Sequence, residues 1–335
     1  MSSIGVIMAA YNAERWIADS LASLQAQSVQ AWCCVVVDDG STDATASIVA
    51  GIAAADPRIL LVKQIHSGVA ATRNVGLHHL DGNVDVISLL DSDDVLVPDA
   101  FAVLTTALEA RPDAVGVFGL AEYIDAEGKQ FDAGRHPASQ QDRRRIRGIR
   151  LVSVDVGDDS TFADMIVYGP IWPSAVGLHR RAALQAVGGF DPALRVISDW
   201  DAYVRMSRRG PFVMVDRQVA WYRRHDANVT NDSSATTAGR AKVLRKTWLD
   251  QENTAAQRRL IVRGLWLSRA ADTPMLTRTL LGALRRGDGE HAVRASVALS
   301  RHLARLCCLP GRVSEQRLAM LLEPSPCTTP TRTRT

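Results

Sequence analysis

The 335-residue sequence has no run of about 18 consecutive apolar residues, the length that a membrane-spanning helix needs. Its first residues, MSSIGVIMAAYN, lack the basic stretch and cleavage site of a secretory signal, so the sequence predicts a cytoplasmic protein. The five cysteines form no CxxC pair and no Cys/His metal spacing, which excludes a zinc module and favours idle thiols in a reducing compartment. No internal repeat is visible.

Charge is unevenly distributed along the chain. Residues 240–335 hold 18 Lys and Arg against 7 Asp and Glu, a net charge of +11, and residues 1–239 hold 21 against 29, a net charge of −8. An acidic half suits a divalent cation, and a basic half suits an anionic surface such as phospholipid headgroups at the inner face of a membrane. A solvated helical surface rich in arginine explains the basic half equally well.

Short apolar runs alternate with helical patterns through the first hundred residues. Residues 4–10, 33–37, 59–62 and 84–90 predict four buried strands, and the segments between them have helical spacing. This alternation predicts an α/β fold with a mostly parallel sheet, covered by helices on both faces. Ligands of such sheets bind at the carboxyl ends of the strands.

Helix-capping residues follow the first two strands. Asn12 is predicted to cap the first helix, with Glu14 in the first turn, and Ser41 or Thr42 to cap the second. Further along the chain, residues 212–215 and 219–222 predict two short strands.

Three acids, Asp91, Asp93 and Asp94, lie within four positions after the fourth strand, in LLDSDDVLVPD. Carboxylates packed this closely repel one another unless a cation compensates their charge. Their hard oxygens suit Mg²⁺ or Mn²⁺, which keep coordination positions open for substrate phosphate. The alternative interpretation is a capped turn that precedes a helix.

A second acidic segment, VVVDDGSTDAT, places Asp39 at the end of a buried strand. A carboxylate there can accept a hydrogen bond from the imide N–H of uracil or from a ribose hydroxyl. The alternative is an Asx- and Ser-rich start of a helix.

Seven segments occur in a fixed order: MAAYNAERWIADSLASLQAQS, VVVDDGSTDAT, SGVAATRNVGL, LLDSDDVLVPD, GGFDP, SDWDAYVR and YRRH. Together they resemble the family 2 glycosyltransferases with a GT-A fold, over about residues 1–226. The resemblance implies an inverting, metal-dependent enzyme that moves a sugar from a nucleoside-diphosphate-sugar to a hydroxyl acceptor. The implied partners are a UDP-sugar, Mn²⁺ or Mg²⁺, and a saccharide or lipid-linked acceptor in bacterial surface polysaccharide or glycolipid assembly, with no nucleic acid.

The resemblance also implies roles for individual residues. The nucleotide-sugar-binding positions are Ala10, Tyr11, Asp39, Arg73, Asp91 and Ser92. Asp93 and His225 match metal-binding positions, and Asp199 matches the catalytic base. The sequence departs from the pattern at Ser198, where many relatives have glutamate, so an acid next to the base is absent.

The transfer of a sugar with inversion needs two groups: a cation at the departing diphosphate and a base at the acceptor hydroxyl. A cation held by Asp93 and His225 would offset charge on the departing diphosphate. Asp199 would accept the proton of the acceptor hydroxyl, a contribution of roughly 10²–10⁴-fold. No second acid is a conspicuous candidate nucleophile, which favours inversion by single displacement.

Three regions follow from these patterns. Residues 1–239 are predicted to form a GT-A catalytic domain, with a nucleotide-binding half at 1–97 and an acceptor half at 98–239. Residues 240–323 are predicted to form a helical extension whose basic helices pack on the domain, form a dimer or lie on a membrane surface. Residues 324–335 predict a disordered tail.

Several readings stay open at this point. Trp172 either stacks on an acceptor sugar or packs in the core, and the arginines of 143–150 either grip an acceptor diphosphate or line a solvated loop. A nucleotidyltransferase would need a Gly-rich basic loop after the first strand, where the chain reads AAYNAER. A non-catalytic nucleotide-sugar-binding protein is the other rival, and the presence of Asp93, Asp199 and His225 argues against it.

Overall fold

A computed structural model describes residues 3–131, 144–147, 150–155, 158–169 and 171–262, with six single positions beyond them. For 144–147 and 150–153 only the backbone is described. The chain divides into two compact units, Met1–Arg143 with Ser153–Val229, and Arg144–Val152 with Thr230–Thr335. The arginine side chains of 143–150, the tail 324–335 and most of the extension 240–323 lie outside the described residues.

The described elements run in the following order along the chain. The strands are β1 (Ile4–Ala10), β2 (Trp32–Asp38), β3 (Ile59–Lys63), β4 (Val86–Leu89), β5 (Val95–Leu96), β6 (Gly116–Ile124), β7 (Arg144–Arg147), β8 (Arg150–Ser153), β9 (Gly177–Arg180) and β10 (Phe212–Arg223). The helices are α1 (Ile17–Gln25), α2 (Thr45–Ala55), α3 (Val69–His79), α4 (Ala100–Glu109), α5 (Phe162–Tyr168), α6 (Arg181–Ala186), α7 (Ser198–Met206) and α8 (Ser233–Leu249).

Eight strands of the first unit form one mixed sheet in the order β3-β2-β1-β4-β9-β6-β10-β5. The strands β1 to β4 are parallel, and β6 is parallel to β10. Strand β9 runs antiparallel to both of its neighbours, and β5 runs antiparallel to β10. The predicted α/β sheet, mostly parallel and flanked by helices, is therefore confirmed.

The strand order contains a switch point at β1. The chain moves from β1 outward through β2 to β3, and then returns to place β4 on the other side of β1. The loops after β1 and β4 therefore leave the sheet in different directions, which opens a crevice at their carboxyl ends. This is the edge at which the sequence places its acidic motifs.

The two predicted helix caps are wrong. Asn12 adopts a φ of 49°, and α1 begins only at Ile17. The Asn12 N–H donates to Ser41 Oγ at 3.0 Å, and the Asn12 side-chain oxygen accepts from the Thr42 N–H at 2.9 Å. Helix α2 likewise begins later, at Thr45. These polar side chains bind the loop after β1 to the loop after β2 instead of starting helices.

The two strands predicted at 212–215 and 219–222 are one strand, β10. Its register against β6 shifts between Met214 and Gln218 and again between Gln218 and Ala220. The irregularity takes up the exposed residues Asp216 and Arg217, so a single strand resumes its buried pattern after the interruption.

The second unit contains the two-stranded sheet β7-β8, helix α8 and a further helical stretch at residues 255–262. Its described core includes Val243, Leu244, Ile261 and Val262. Within the described part of the chain, none of the helices is both long enough and apolar enough to cross a membrane.

Two helix glycines differ in their surroundings. A Cβ on Gly76 in α3 would lie 2.5 Å from Ile7 Cγ2 in the core of β1, whereas nothing lies within 4 Å of a Cβ on Gly51 in α2. We expect Gly76→Ala to destabilise the fold by about 1–3 kcal/mol through overpacking. Gly51→Ala should stabilise it by about 0.5–1 kcal/mol, because alanine restricts the unfolded chain.

Urea unfolding of the Gly76→Ala and Gly51→Ala variants, monitored by circular dichroism, measures both changes in the free energy of unfolding. A Gly76→Ala midpoint at or above that of the wild type would contradict the close packing of α3 on β1.

Candidate functional site

The loops after β1 and β2 meet at the carboxyl edge of the sheet. The Ala10 carbonyl accepts from the Asp39 N–H at 2.8 Å, and the Ala10 side chain is buried. Tyr11, the next residue, is 49% exposed. Ala10 therefore contributes its backbone to this edge, and Tyr11 offers an aromatic ring to solvent.

Asp39 fixes the loop that leads into α3. Its Oδ1 accepts from the Ser67 N–H at 2.7 Å and from Gln64 Nε2 at 2.6 Å. Its Oδ2 accepts from the Gly68 N–H at 2.9 Å and lies 3.0 Å from His66 Nδ1. Both carboxylate oxygens of this buried residue are thus engaged by one loop, and its contact with a nucleotide base stays a prediction.

His66 is a site residue that the sequence analysis missed. Its ring lies 4.4 Å from the Tyr11 ring, at an interplanar angle of 36°. Both rings are substantially exposed, so the pair forms an open aromatic face beside Asp39. Aromatic faces of this kind stack on nucleobases. The HSG sequence immediately before α3 is the signal that could have identified it.

Arg73 lies between two of the predicted site acids. Its Nη2 donates to Asp91 Oδ1 at 2.9 Å, and its Nη1 lies 3.6 Å from Asp199 Oδ2. Burial alone would lower the pKa of Arg73, but the carboxylates of Asp91 and Asp199 outweigh it and raise the pKa above its usual value. This cluster of Arg73, Asp91 and Asp199 joins α3, the loop after β4 and α7.

Asp199 sits in the first turn of α7, where the helix dipole favours an anion. Its Oδ1 accepts from the Trp200 N–H at 2.8 Å, and its Oδ2 accepts from Ser174 Oγ at 2.6 Å. The side chain keeps 19% exposure, so solvent reaches it. Trp200 donates through Nε1 to the Met165 carbonyl at 2.6 Å and is buried, which identifies it as a packing residue.

The two predicted metal-binding residues, Asp93 and His225, come together in the structure. His225 Nε2 lies 3.0 Å from Asp93 Oδ2, and Asn228 Nδ2 donates to the same oxygen at 3.3 Å. The His225 ring stacks on Trp16, with centroids 3.8 Å apart and an interplanar angle of 18°. Asn228 and Trp16 were not predicted. Asn228 lies three residues after His225, and Trp16 lies in the first matched segment.

Asp93 and His225 are in contact at the distance of a hydrogen bond, and this distance would also allow both side chains to reach one cation. Two neighbouring ligands at about 2.1 Å from an octahedral Mg²⁺ lie about 3.0 Å apart, and these two side chains are 3.0 Å apart. In the residues that the structure describes, no three His, Cys, Asp or Glu side chains converge. A two-residue site fits Mg²⁺ or Mn²⁺, whose other ligands are typically waters and substrate phosphate.

Asp94, the third acid of the motif, supports β10 instead. Its Oδ1 accepts from the Arg223 N–H at 3.1 Å, and Arg223 Nε donates to the Asp93 carbonyl at 2.9 Å. The Arg223 guanidinium also reaches Asp19 Oδ2 at 3.1 Å. Burial, and then the neighbouring Asp93 and Asp91 carboxylates, raise the pKa of Asp94 well above its ordinary value, which favours the neutral acid. Ser92, the remaining motif residue, is half-buried between Asp91 and Asp93.

Sequence comparisons agree on one family. Residues 5–165 match the family model for glycosyl transferase family 2. Glycosyltransferase GlyA of Streptococcus pneumoniae is 33% identical over 125 residues, which are 37% of this chain and 18% of that protein. An uncharacterized glycosyltransferase of Nostoc sp. is 28% identical over 238 residues, 70% of this chain and 68% of that protein. The succinoglycan biosynthesis protein ExoW of Rhizobium meliloti is 35% identical over 101 residues, 30% of this chain and 32% of that protein.

Structural comparisons agree on one fold. Residues 1–349 of Staphylococcus aureus TarS, solved with UDP-GlcNAc, superpose with a TM-score of 0.61 at 16% identity, covering 90% of this chain and 92% of that one. The mannosyltransferase PcManGT of Pyrobaculum calidifontis, solved with GDP-Man and Mn²⁺, gives a TM-score of 0.60 at 17% identity, covering 96% and 85%. The predicted GT-A fold is confirmed by these neighbours.

The bonds around Asp39 predict a stability effect. Asp39→Asn replaces one acceptor oxygen by an NH₂ group that faces N–H donors, so we expect the free energy of unfolding to fall by about 2–3 kcal/mol. Asp99→Asn is the matched control, because the Asp99 side chain makes an exposed ion pair with Arg217 and no capping bond to α4. The control should change stability by about 0.5 kcal/mol or less. Equal thermal unfolding temperatures for the two variants would contradict the described role of Asp39.

Proposed function

Since this chain belongs to glycosyl transferase family 2 through residues 5–165, we propose that it is an inverting, metal-dependent enzyme that uses a nucleoside-diphosphate-sugar. The sugar passes to a hydroxyl group of a saccharide or lipid-linked acceptor. The observation that carries the proposal is that Arg73 lies between the solvent-accessible Asp199 carboxylate and Asp91, in the same motif as the Asp93 that lies 3.0 Å from His225.

The donor is proposed to be a UDP-sugar. TarS has been solved with UDP-GlcNAc and with UDP, and PcManGT with GDP-Man, which supports a nucleotide-sugar in general. In this chain the exposed ring pair of Tyr11 and His66 offers a stacking face for the base. The backbone of Ala10, the buried Asp39 and half-buried Ser92 lie in the loops that would surround the nucleotide.

The transfer follows from the positions of the acids. When bound at Asp93 and His225, a divalent cation would offset the negative charge that develops on the diphosphate. Asp199 accepts the proton of the acceptor hydroxyl as that oxygen bonds to the anomeric carbon and the bond from this carbon to the diphosphate breaks. A single carboxylate is enough for displacement with inversion, because no covalent sugar intermediate forms. Arg73 places a positive charge 3.6 Å from the carboxylate that would accept that proton.

The cellular setting is proposed to be the assembly of a bacterial surface polysaccharide or glycolipid, on the cytoplasmic side of a membrane. One relative, ExoW, carries the name of a succinoglycan biosynthesis protein. The net charge of +11 in residues 240–335 would favour contact with anionic headgroups or a lipid-linked phosphate.

A panel of UDP-, GDP- and dTDP-sugars, scored for release of the nucleoside diphosphate with Mg²⁺ or Mn²⁺, tests this function. Calorimetric titration with UDP and Mn²⁺ runs in parallel. Release from a UDP-sugar that depends on the metal supports the proposal. Binding of UDP without any release, in the presence of oligosaccharide acceptors, would instead favour a non-catalytic nucleotide-sugar-binding protein.

Asp93→Ala tests the metal site. This variant removes the carboxylate that lies 3.0 Å from His225 Nε2, so the gain in UDP affinity that Mn²⁺ produces should vanish. The measurement is calorimetric titration of UDP with and without Mn²⁺. Asp99→Ala, at an exposed position between β5 and α4, should keep the full effect. A Mn²⁺ dependence that survives in Asp93→Ala would remove this residue from the metal site.

Asp199→Asn tests the base. The amide keeps the shape of the side chain but cannot accept a proton, so turnover should fall by about 10²–10⁴-fold. The affinity for UDP with Mn²⁺ should stay close to that of the wild type, because Asp199 acts on the acceptor. Asp216→Asn, an exposed site on β10, is the control. Normal turnover by Asp199→Asn would assign the base to another residue.

A further inference from the structure

Ser174 contacts both the proposed base and the buried arginine of the site. It opens the short 3₁₀ helix Ser174–Val176 and is 3% exposed. Its hydroxyl donates to Asp199 Oδ2 at 2.6 Å and accepts from Arg73 Nη2 at 3.1 Å. One hydroxyl can make both bonds, because it carries one donor hydrogen and two acceptor lone pairs.

The bond to Ser174 is the shortest that Asp199 makes among the described residues. The other oxygen, Oδ1, accepts from the Trp200 N–H at 2.8 Å, and the direct approach of Arg73 to Oδ2 is 3.6 Å. The guanidinium therefore acts on the carboxylate at a distance, whereas the serine hydroxyl touches it. Fixing both oxygens leaves the carboxylate in one orientation toward the crevice.

Ser198, at the departure from the family pattern, does not supply this contact. It is fully buried, and its Oγ has no hydrogen-bond partner among the residues that the structure describes. Ser198, the neighbour of Asp199 in sequence, therefore makes no hydrogen bond to the carboxylate. The hydroxyl that does so belongs to Ser174.

We propose that Ser174 is a positioning residue of the sugar transfer, which orients the Asp199 carboxylate and links it through Arg73 to Asp91. Its catalytic meaning rests on the function proposed above. The buried Arg73 guanidinium lies beside both carboxylates, that of Asp199, the proposed base, and that of Asp91 in the donor motif. Loss of the hydroxyl should therefore impair the proton transfer and leave the binding of the nucleotide intact.

The other titratable groups around Asp199 do not replace this hydroxyl. Arg73 faces it from α3 and Asp91 from the loop after β4, and these two are paired with each other. His179 on β9 is buried, which lowers its pKa to about 3 and keeps it neutral. Burial also raises the pKa of Tyr203 on α7, so its phenol stays neutral.

Ser174→Ala is the direct test. We expect kcat to fall by about tenfold, and the pH below which kcat/KM declines to rise by about one unit, since a hydrogen bond to the charged carboxylate is lost. KM for the donor, and the affinity for UDP with Mn²⁺, should not change. Ser207→Ala removes the hydroxyl of a buried serine at the C-cap of α7, which bonds to the Val204 carbonyl, and this variant should keep the wild-type profile.

A double variant separates a positioning role from general loss of packing. In an Asp199→Asn background, Ser174→Ala should cause little further loss of kcat, because the carboxylate it orients is already gone. Full additivity of the two losses would overturn the proposal.

A spectroscopic measurement keeps this inference apart from the proposed function. Carbon-13 NMR of protein labelled at aspartate carboxyls needs no substrate, and the Asp199 signal is identified by its absence in Asp199→Asn. In Ser174→Ala this signal should titrate at higher pH than in the wild type, whereas Ser207→Ala should not move it. An unmoved signal overturns the role of Ser174, and a panel of nucleotide-sugars that yields no release overturns the function alone.

Discussion

The structure of the site depends on how negative charge is compensated at one edge of a sheet. Three aspartates of a single loop and a fourth on α7 come together there, and like charges at such distances destabilise the fold unless a cation lies among them. Arg73 provides that charge for Asp91 and Asp199 from within the protein. A buried ion pair of this kind is costly to break, because the partner left behind remains buried and unpaired. This explains why an arginine in the middle of α3 is buried.

The same constraint divides the motif acids by function. Asp91 is paired with Arg73, and Asp94 is a buried acid with a raised pKa that bonds to the backbone of Arg223. The Asp93 carboxylate forms no ion pair with an arginine in the described structure, and it contacts the polar side chains of His225 and Asn228. Of the three, it is therefore the acid whose charge is best available to an external cation.

Much of this arrangement could be predicted from the sequence. Apolar runs and helical spacing locate the strands β1 to β4 within a few residues, because each pattern is local. The acids at the ends of β2 and β4 follow from the rule that parallel strands present their carboxyl ends at one edge. The helix starts could not be predicted, because Asn12 and Ser41 satisfy each other across two loops instead of capping their own helices.

Contacts between distant segments account for what the sequence does not show. Trp16 stacks on His225, and Ser174 bonds to Arg73 across 101 residues of sequence. The sequence predicts a chemical role for neither residue: Trp16 lies at the helical spacing of core residues, and Ser174 directly follows Pro173 in an apolar segment.

Their importance appears only when the sheet brings β9, β4 and α3 together. The motifs of this protein supply the groups proposed to react, whereas single residues elsewhere in the chain fix their geometry. Asp199, the proposed base, is held by a serine, an arginine and a backbone N–H from three different elements, which a motif search passes over.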